Sequence, residues 1–303
     1  MGSRYNLDAL RRGIRDPRRI AGEFRYLATN FNRLFHADSD IETFPVMDAD
    51  WDLLVIIDGC RYDLFIEESS LPGTTTSIQS GASQSREFME AHFFDEKHHD
   101  TVYVSANPHA KQVQTGDFYD VRLVYESQWD ADAGTVLPQA VVEETVATAE
   151  MFPDKRIIAH FMQPHHPFLG EHGEFDSGEI DFTGDDVWTQ LRNFRCPTDN
   201  ETVWKAYAEN YRLLEPWIRK LDAEVTGKTV VTSDHGNLVG ERLSPIPVRG
   251  YGHPGRIRHP VLNTVPWHEM PVDSRRHVES ASPKELTDGD GSVRSKLEDL
   301  GYV

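Results

Sequence analysis

Short runs of apolar and β-branched residues recur along the chain, and each is typical of a strand that is buried on both faces. Segments with apolar residues at helical spacing lie between these runs. The alternation predicts an α/β fold in which a mostly parallel central sheet is sandwiched by helices. The predicted strands are 52–57, 101–105, 121–125, 156–162 and 229–232, and the predicted helices are 86–94, 136–149 and 201–225.

Acidic residues directly follow two of these strands. Asp58 comes after the first predicted strand, and Asp234 and His235 come just after the last one. Because the carboxyl ends of parallel strands meet at one edge of the sheet, where ligands bind, the two carboxylates could hold one divalent metal. Gly236 would let the backbone turn tightly beside them. Each segment alone is also compatible with an ordinary turn or a helix cap.

Other polar residues lie where an anionic ester could be bound. The segment 80–85 contains three serines and precedes a predicted helix, whose free N–H groups and dipole would stabilise a deprotonated hydroxyl. Ser83 or Ser85 could equally serve only as the N-cap of that helix. His165 and His166 lie between prolines after the strand 156–162, where they could contact an anion or simply belong to a rigid loop.

Composition and charge limit the possible functions. The chain has 303 residues and a formal net charge of −19, which disfavours nucleic acid as a partner. Two cysteines without a CxxC motif fit reduced thiols and argue against a disulfide framework. The acidity suggests adaptation to a salty cytoplasm, although a merely acidic protein would look the same. The opening residues lack the apolar run of a secretory signal, so we expect a cytoplasmic protein, with a peripheral position at the inner membrane face as the alternative.

Residues 1–36 differ from the rest of the chain because they hold eight arginines against three acidic residues. Apolar residues recur at helical spacing on both sides of Pro17, which predicts two helices. The segment could rest on anionic lipid or on a partner protein. The alternative, which we prefer, is a helical pair that packs on an acidic domain.

The polarity pattern divides the chain into three parts. We expect residues 1–45 to form a basic helical extension, 46–270 the α/β domain that carries the candidate site, and 271–303 a polar linker with a C-terminal helix that docks on the core. Within the domain, residues from Pro72 onward are expected to form a loop, and 170–198 a long lid-like loop. Nothing in the sequence indicates the oligomeric state.

Four motifs together resemble the alkaline phosphatase superfamily, and most closely its sulfatase and lipoteichoic-acid-synthase-like branch. These are VIIDGCRYD, MQPHHPF, VVTSDHGNLVGE and RIRHPVL, in that order along 52–270. The acidic composition adds a similarity to haloarchaeal-type sulfatase-like proteins. Gly59 stands where sulfatases carry a second aspartate, and SGASQSR does not match their CxPxR nucleophile motif.

The resemblance implies Asp58, Asp234 and His235 as metal ligands, with the nucleophile as a further ligand. Enzymes of the lipoteichoic-acid-synthase type place a threonine four residues before a Glu-Phe pair, and Ser83 lies four before Glu87 here. Ser83 is therefore the predicted nucleophile, ahead of Ser80 and Ser85. The other predicted site residues are His165 and His253 as catalytic groups, and Arg61, Asn107 and His166 as substrate-binding groups.

The expected cofactor is one divalent metal, with Mn²⁺ or Zn²⁺ favoured and Ca²⁺ or Mg²⁺ possible. The expected function is hydrolysis of a phosphate or sulfate ester through a serine nucleophile, and esters linked to a glycan or lipid are among the candidate substrates. Two alternatives remain: a transferase that moves the phospho or sulfo group onto a glycan or lipid, and a non-catalytic, metal-stabilised binding protein of the same fold.

Overall fold

The computed structural model describes residues 17–36, 42–94, 96–113, 116–175 and 186–283. A seven-stranded sheet forms the centre, and two small two-stranded sheets lie outside it. The strands are β1 (Leu53–Ile57), β2 (Thr74–Gln79), β3 (His98–Ser105), β4 (Phe118–Leu123), β5 (Trp129–Asp130), β6 (Thr135–Val136), β7 (Arg156–Phe161), β8 (Thr229–Thr232), β9 (Leu238–Arg242), β10 (Arg249–Gly252) and β11 (Thr264–Glu269).

Helices cover both faces of the central sheet. They are α1 (Pro17–His36), α2 (Tyr62–Glu68), α3 (Ser85–His92), α4 (Pro138–Met151), α5 (Val187–Arg192), α6 (Asn200–Glu224) and α7 (Pro260–Asn263). Short 3-10 turns occur at Pro108–Gln112, Val124–Glu126 and Glu171–Gly173. The α/β architecture with a mostly parallel, helix-flanked sheet confirms the predicted fold class. Within the described ranges, no helix combines the length and apolarity needed to cross a bilayer.

The strand order is β2-β11-β8-β1-β7-β3-β4. The five strands from β8 to β4 run parallel, while β11 runs antiparallel to both of its neighbours. Val55 at the centre of β1 lies opposite Val231 on one side and Ala159 on the other. The carboxyl ends of β8, β1, β7 and β3 therefore lie side by side at one edge of the sheet.

Both faces of β1 are buried, which explains its unbroken apolar sequence. Leu53, Val55 and Ile57 pack into the core that includes helices α2, α4 and α6, while Leu54 and Ile56 pack into a second core that includes α3. All five side chains are fully buried. This rigid central strand positions the residue that follows it, Asp58.

The structure differs from the sequence prediction at the sheet edges. Residues 74–79, predicted to be a loop, form β2, an edge strand whose side chains are mostly exposed or half-buried. Residues 264–269, for which no strand was predicted, form β11. An edge strand with the sequence TTTSIQ buries too little to show an apolar run, so the pattern does not reveal it. Residues 124–126 form a 3-10 turn instead of continuing β4.

Helix α1 packs on the domain, but not through its large apolar residues. The buried positions are Gly22, Ala28, Thr29, Asn32 and His36, and the Asn32 side chain exchanges two hydrogen bonds with the backbone of Ile246. The apolar residues predicted to face the domain are instead exposed: Ile20, Phe24, Leu27, Phe31 and Phe35. The predicted helix before Pro17 lies outside the described residues.

The two predicted polar loops are partly ordered by specific contacts. The range 170–198 contains helix α5, and its residues 176–185 lie outside the described chain. Residues 271–283 form neither helix nor strand, but Arg275 and Arg276 bind the buried carboxylate of Asp52. The predicted C-terminal helix lies outside the described ranges. Cys60 and Cys196 are not joined by a disulfide.

Candidate metal and catalytic site

Three acidic or imidazole side chains meet at the carboxyl edge of the sheet. Asp58 directly follows β1, Asp234 follows β8, and His160 is the penultimate residue of β7. One ligand atom from each lies within 4.8 Å of the other two, and all three residues are buried. Since β8, β1 and β7 are adjacent parallel strands, the convergence follows directly from the sheet topology.

His235 completes the group from the same loop as Asp234. Its Nε2 lies 3.6 Å from Asp58 Oδ1 and 3.5 Å from Asp234 Oδ2. Its Nδ1 lies 2.9 Å from the Gly236 carbonyl oxygen, which can only accept, so Nδ1 carries the proton. His235 Nε2 therefore faces two carboxylates while Nδ1 is bound to a backbone carbonyl, an arrangement typical of a metal-binding imidazole.

The buried polar atoms of this cluster fit a divalent cation. Among the described residues, Asp58 Oδ1, Asp234 Oδ2 and His160 Nε2 have no hydrogen-bond partner. Unpaired buried oxygen and nitrogen atoms are costly unless they bind something, and two carboxylates with imidazole donors suit Zn²⁺ or Mn²⁺. The donor set thus supports a metal site, although it does not fix which metal is bound.

Electrostatics points to the same conclusion. Burial, reinforced by repulsion from Asp234, raises the pKa of Asp58 well above the ordinary value. Asn107 and Ser85 partly oppose that shift through hydrogen bonds to Asp58. A bound cation would favour the charged forms of both carboxylates and remove their mutual repulsion.

His160 was not identified from the sequence. Burial lowers its pKa to about 4, so its side chain is neutral at pH 7. Its Nδ1 lies 2.8 Å from the hydroxyl oxygen of Tyr103, and its Nε2 lies 3.9 Å from Asp234 Oδ2. The available signal was a lone titratable residue near the carboxyl end of an otherwise apolar strand, RIIAHF.

Ser85, not Ser83, is the serine in the cluster. Ser85 Oγ lies 3.4 Å from both Asp58 Oδ2 and His235 Nε2, and Asn107 Nδ2 donates to it at 3.0 Å. Ser85 is buried at the first position of helix α3. The Ser85 hydroxyl therefore lies next to both Asp58 and His235.

The geometry does not support the choice of Ser83 as nucleophile and metal ligand. Ser83 Oγ donates to Glu87 Oε2 at 2.9 Å, and Ser83 N–H donates to the same oxygen at 3.0 Å. The four-residue spacing to Glu87 thus reflects a local contact at the start of the helix. Ser80 donates to the Ala82 carbonyl at 3.2 Å and likewise takes no part in the cluster.

Asn107 lies in the site, but it contacts protein groups there. Its side-chain nitrogen donates to Asp58 Oδ2 at 2.6 Å as well as to Ser85 Oγ. It follows β3 and is held by the His109 N–H, which donates to its oxygen at 2.8 Å. Because one amide bridges the carboxylate and the serine, Asn107 fixes their relative position.

The histidine pair after β7 lies beside the cluster and is buried. His165 Nε2 lies 2.8 Å from His253 Nε2, and the His253 ring packs 4.5 Å from the His235 ring. His165 Nδ1 lies 2.7 Å from the His166 carbonyl, so it carries a proton and Nε2 accepts from His253. That assignment leaves His253 Nδ1 with a free lone pair, and it has no partner within the described part of the chain.

Two predicted substrate-binding residues are engaged elsewhere. The Arg61 guanidinium donates to Asp63 and Glu241 and to the Asn237 carbonyl, and it lies 4.8 Å from the Trp204 ring centroid. Its donors are thus directed away from an external anion. His166 is buried with its ring edge-on to Trp188 at 6.0 Å.

Two glycines allow the strand-end loops to approach each other. Gly59 has φ +68°, and its N–H donates to Asp234 Oδ1 at 2.9 Å. A Cβ there would lie 2.5 Å from Asn237 Nδ2, so the second aspartate of sulfatases has no room in this chain. Gly236 is required for a different reason than predicted: a Cβ would lie 1.9 Å from the Val261 carbonyl oxygen.

No family model matches this chain, and no curated protein matches it. Solved structures do. Lipooligosaccharide phosphoethanolamine transferase A from Neisseria meningitidis, an integral membrane protein, matches with a TM-score of 0.47 and 14% identity. The match covers 71% of this chain and 47% of that one, so this chain spans about half of the transferase.

Two further solved structures match with lower TM-scores. A putative sulfatase from Bacteroides thetaiotaomicron matches with a TM-score of 0.43 and 11% identity, over 77% of this chain and 66% of that one. A protein from Vibrio parahaemolyticus matches with a TM-score of 0.37 and 12% identity, over 82% and 69%. The latter is described as a member of the alkaline phosphatase superfamily.

The structures that this chain is similar to include one that is described as a member of the alkaline phosphatase superfamily. This is the superfamily that the sequence motifs resemble. The similarity is weak and concerns the overall fold, so it assigns neither an activity nor a substrate. The haloarchaeal type stays a prediction.

Proposed function

We propose that this protein is a metal-dependent enzyme that cleaves an anionic phosphate or sulfate ester through Ser85. The observation that carries the proposal is the position of Ser85 Oγ, 3.4 Å from Asp58 and His235 in a buried cluster that fits a cation. Asp58, Asp234 and His235 would hold the metal, with His160 as a further ligand. Zn²⁺ and Mn²⁺ are the favoured ions.

A bound metal would supply Lewis-acid stabilisation of charge on the ester oxygens and on the serine oxygen. The chain's own residues position the nucleophile. Asn107 holds Ser85 against Asp58, and the first turn of α3 presents free N–H groups beside the serine. These contacts limit the directions from which Ser85 can attack.

In the first step, Ser85 Oγ would form a bond to phosphorus or sulfur and pass its proton to His253 Nδ1. The bond to the ester oxygen breaks, and that oxygen leaves with the bonding electron pair. His253 is the group we assign to this proton transfer, because its Nδ1 lone pair is free while its Nε2 donates to His165, and the proton would then pass from Nδ1 to the leaving oxygen. In the second step, water or an acceptor alcohol displaces Ser85 and restores the serine.

The test compares two serines that lie two residues apart. Replacing Ser85 with Ala removes the proposed nucleophile, so we expect turnover of aryl phosphate, phosphodiester and sulfate substrates to fall by about three orders of magnitude or more. Ser83→Ala removes only a contact at the start of the helix and should change turnover by no more than a few-fold. Full activity in Ser85→Ala, with loss in Ser83→Ala, would overturn the assignment.

Product analysis separates hydrolysis from transfer. Water as the acceptor yields free phosphate or sulfate, whereas an added alcohol yields a new ester in a transferase. The substrate panel should include glycan-linked and lipid-linked esters, since anionic esters of both kinds fit the proposed chemistry. A mass increase on the Ser85 peptide after quenching would report the covalent intermediate in either case.

A further inference from the structure

Helix α1 presents an exposed apolar stripe. Its members share one face of the helix and are each 51–76% exposed: Ile20, Phe24, Leu27, Phe31, Leu34 and Phe35. The stripe covers four turns, or about 22 Å at the rise of an α-helix. A contiguous apolar surface of this kind usually marks an interaction site.

The helix is fixed on the domain by contacts on its opposite face. Arg25 donates to the carbonyl oxygens of Leu191 and Arg192 and lies 3.7 Å from the Phe194 ring centroid. The Arg258 N–H donates to His36 at the end of the helix. The domain therefore holds the helix in an orientation that directs its apolar face outward.

The charge of the helix is opposite to that of the whole protein. Residues 17–36 contain four arginines, one glutamate and no other ionised side chain, whereas the chain as a whole carries −19. We propose that the α1 stripe, together with this basic helix, is a docking surface for an anionic lipid bilayer. Apolar side chains would enter the headgroup region, and the net positive charge of the helix favours an anionic over a neutral surface.

Charge argues against two other occupants of the stripe. A second copy of this chain would bring a second basic helix against the first. Residues 1–16 also carry more arginines than acidic residues, four against two, so they do not complement the helix. An anionic bilayer complements the net positive charge of the helix and can also bury the apolar stripe.

The acidic C-terminal residues are a less suitable occupant of the stripe, because the described chain ends on the side of the sheet away from helix α1. Near that end, the Glu279 N–H donates to the Asp154 carbonyl and the Ala281 N–H to the His99 carbonyl. These contacts lie at the amino edge of the sheet. Helix α1 packs near its carboxyl edge, against loops such as the one at Ile246.

The stripe reaches the vicinity of the proposed active site. Leu34 and Arg33 line a cavity of about 470 Å³ together with Gln84 and Glu87, at the start of helix α3. A bilayer held on the stripe would place lipid headgroups beside the helix that carries Ser85. An effect of docking on turnover would depend on the proposed function, whereas the binding of the stripe to lipid does not depend on it.

The experiment measures co-sedimentation of the full chain with phosphatidylcholine vesicles, with and without phosphatidylglycerol. We expect binding only when the anionic lipid is present. The triple variant Phe24→Ser/Leu27→Ser/Phe31→Ser should lose at least about tenfold in binding. The control Ile66→Ser/Met151→Ser removes two apolar side chains of similar exposure, 52% and 60%, and should bind like wild type.

A structural effect is separated from docking by two further measurements. Phe24→Leu/Phe31→Leu keeps the face apolar and should retain binding, while thermal melting shows whether the serine variants stay folded. If the triple variant melts early, single substitutions at the three positions should give a graded loss.

Three results would overturn the proposal. One is no binding of wild type to anionic vesicles, and another is unchanged binding of the folded serine variants. The third is a dimer in solution that the triple variant dissociates, which would assign the stripe to a second copy.

Discussion

Three histidines around Asp58 each have one ring nitrogen bound to a neighbouring group, and in two of them a carbonyl partner shows which nitrogen carries a proton. The Gly236 carbonyl fixes His235, the His166 carbonyl fixes His165, and the Tyr103 hydroxyl binds His160. Such outer contacts set the tautomer and orientation of metal-binding imidazoles. Two of these contacts are to backbone carbonyl oxygens and the third joins residues far apart in sequence, so no sequence pattern reveals them.

The role of His160 can be tested through metal affinity. Replacing it with Gln removes the unpartnered Nε2 that faces Asp234, so metal affinity should fall by about 10- to 100-fold, as measured by chelator competition. Tyr103→Phe keeps the buried ring but loses the contact to Nδ1, and a smaller decrease is expected. Unchanged affinity in both variants would show that His160 is not part of the metal site.

Gly59 is expected to be intolerant of a side chain. In Gly59→Ala, the positive φ and the 2.5 Å approach to Asn237 should together lower the free energy of unfolding by about 1–3 kcal/mol. Gly116→Ala is a matched control, because Gly116 has φ +104° but nothing within 4 Å of its Cβ position. Urea unfolding should therefore show a larger loss at position 59, and equal losses would refute the steric argument.

The central elements of the fold could be predicted because burial leaves a strong sequence signal. The strands β1, β7 and β8 are almost entirely buried, and each was found as a mainly apolar or β-branched run. The edge strand β2 is polar and partly exposed, so its pairing depends on β11 rather than on its own sequence. Helix α1 was predicted correctly as a helix, but its apolar face is exposed instead of packing on the domain as predicted.

The strand β1 is anchored at its amino end by contacts from the C-terminal segment. Arg275 donates to buried Asp52 at 2.6 Å, and N–H groups of Lys228 and Arg276 donate to the same carboxylate. Burial alone would raise the pKa of Asp52, but these hydrogen bonds lower it below its ordinary value. The contribution to stability is therefore present above the unfolded-state pKa and is lost as the pH falls through the lower, folded-state value.

Arg275→Ala should lower the free energy of unfolding by about 1–3 kcal/mol at neutral pH, because a buried carboxylate loses its charged donor. Because the Arg275 side chain is partly exposed, we expect the loss of stability to lie near the lower end of this range. The difference from wild type should shrink below about pH 4, where Asp52 becomes protonated in the unfolded chain. Lys205→Ala removes only an exposed pair with Glu201 and should leave the melting temperature unchanged; an equal effect of both variants would contradict this account.

At the scale of the whole molecule, the site combines segments that are far apart in sequence. Asp58 and Asp234 are separated by more than half of the chain, yet the parallel sheet places them together. The rule that strand carboxyl ends share one edge made this convergence predictable. The same rule could not choose between Ser83 and Ser85. Ser83 lies just before helix α3 and Ser85 is its first residue, and only the packing of the helix decides which serine faces Asp58.

The net charge of −19 makes a prediction about salt. Self-repulsion of an acidic chain opposes folding, and raising the salt from about 0.1 M to about 1 M shortens the screening length from about 10 to about 3 Å. We therefore expect the melting temperature to rise over this range in the presence of excess metal. A melting temperature that is flat or falls would argue against adaptation to a salty cytoplasm.

The central claim, one metal shared by the ends of β1 and β8, is tested most directly by metal content. We predict roughly one zinc or manganese ion per chain in wild type after dialysis, and nearly the same in Ser85→Ala. Asp58→Asn/Asp234→Asn should retain almost none. This variant should stay folded, because two buried carboxylates become neutral amides of similar shape. Equal metal content in wild type and the folded double variant would contradict the account.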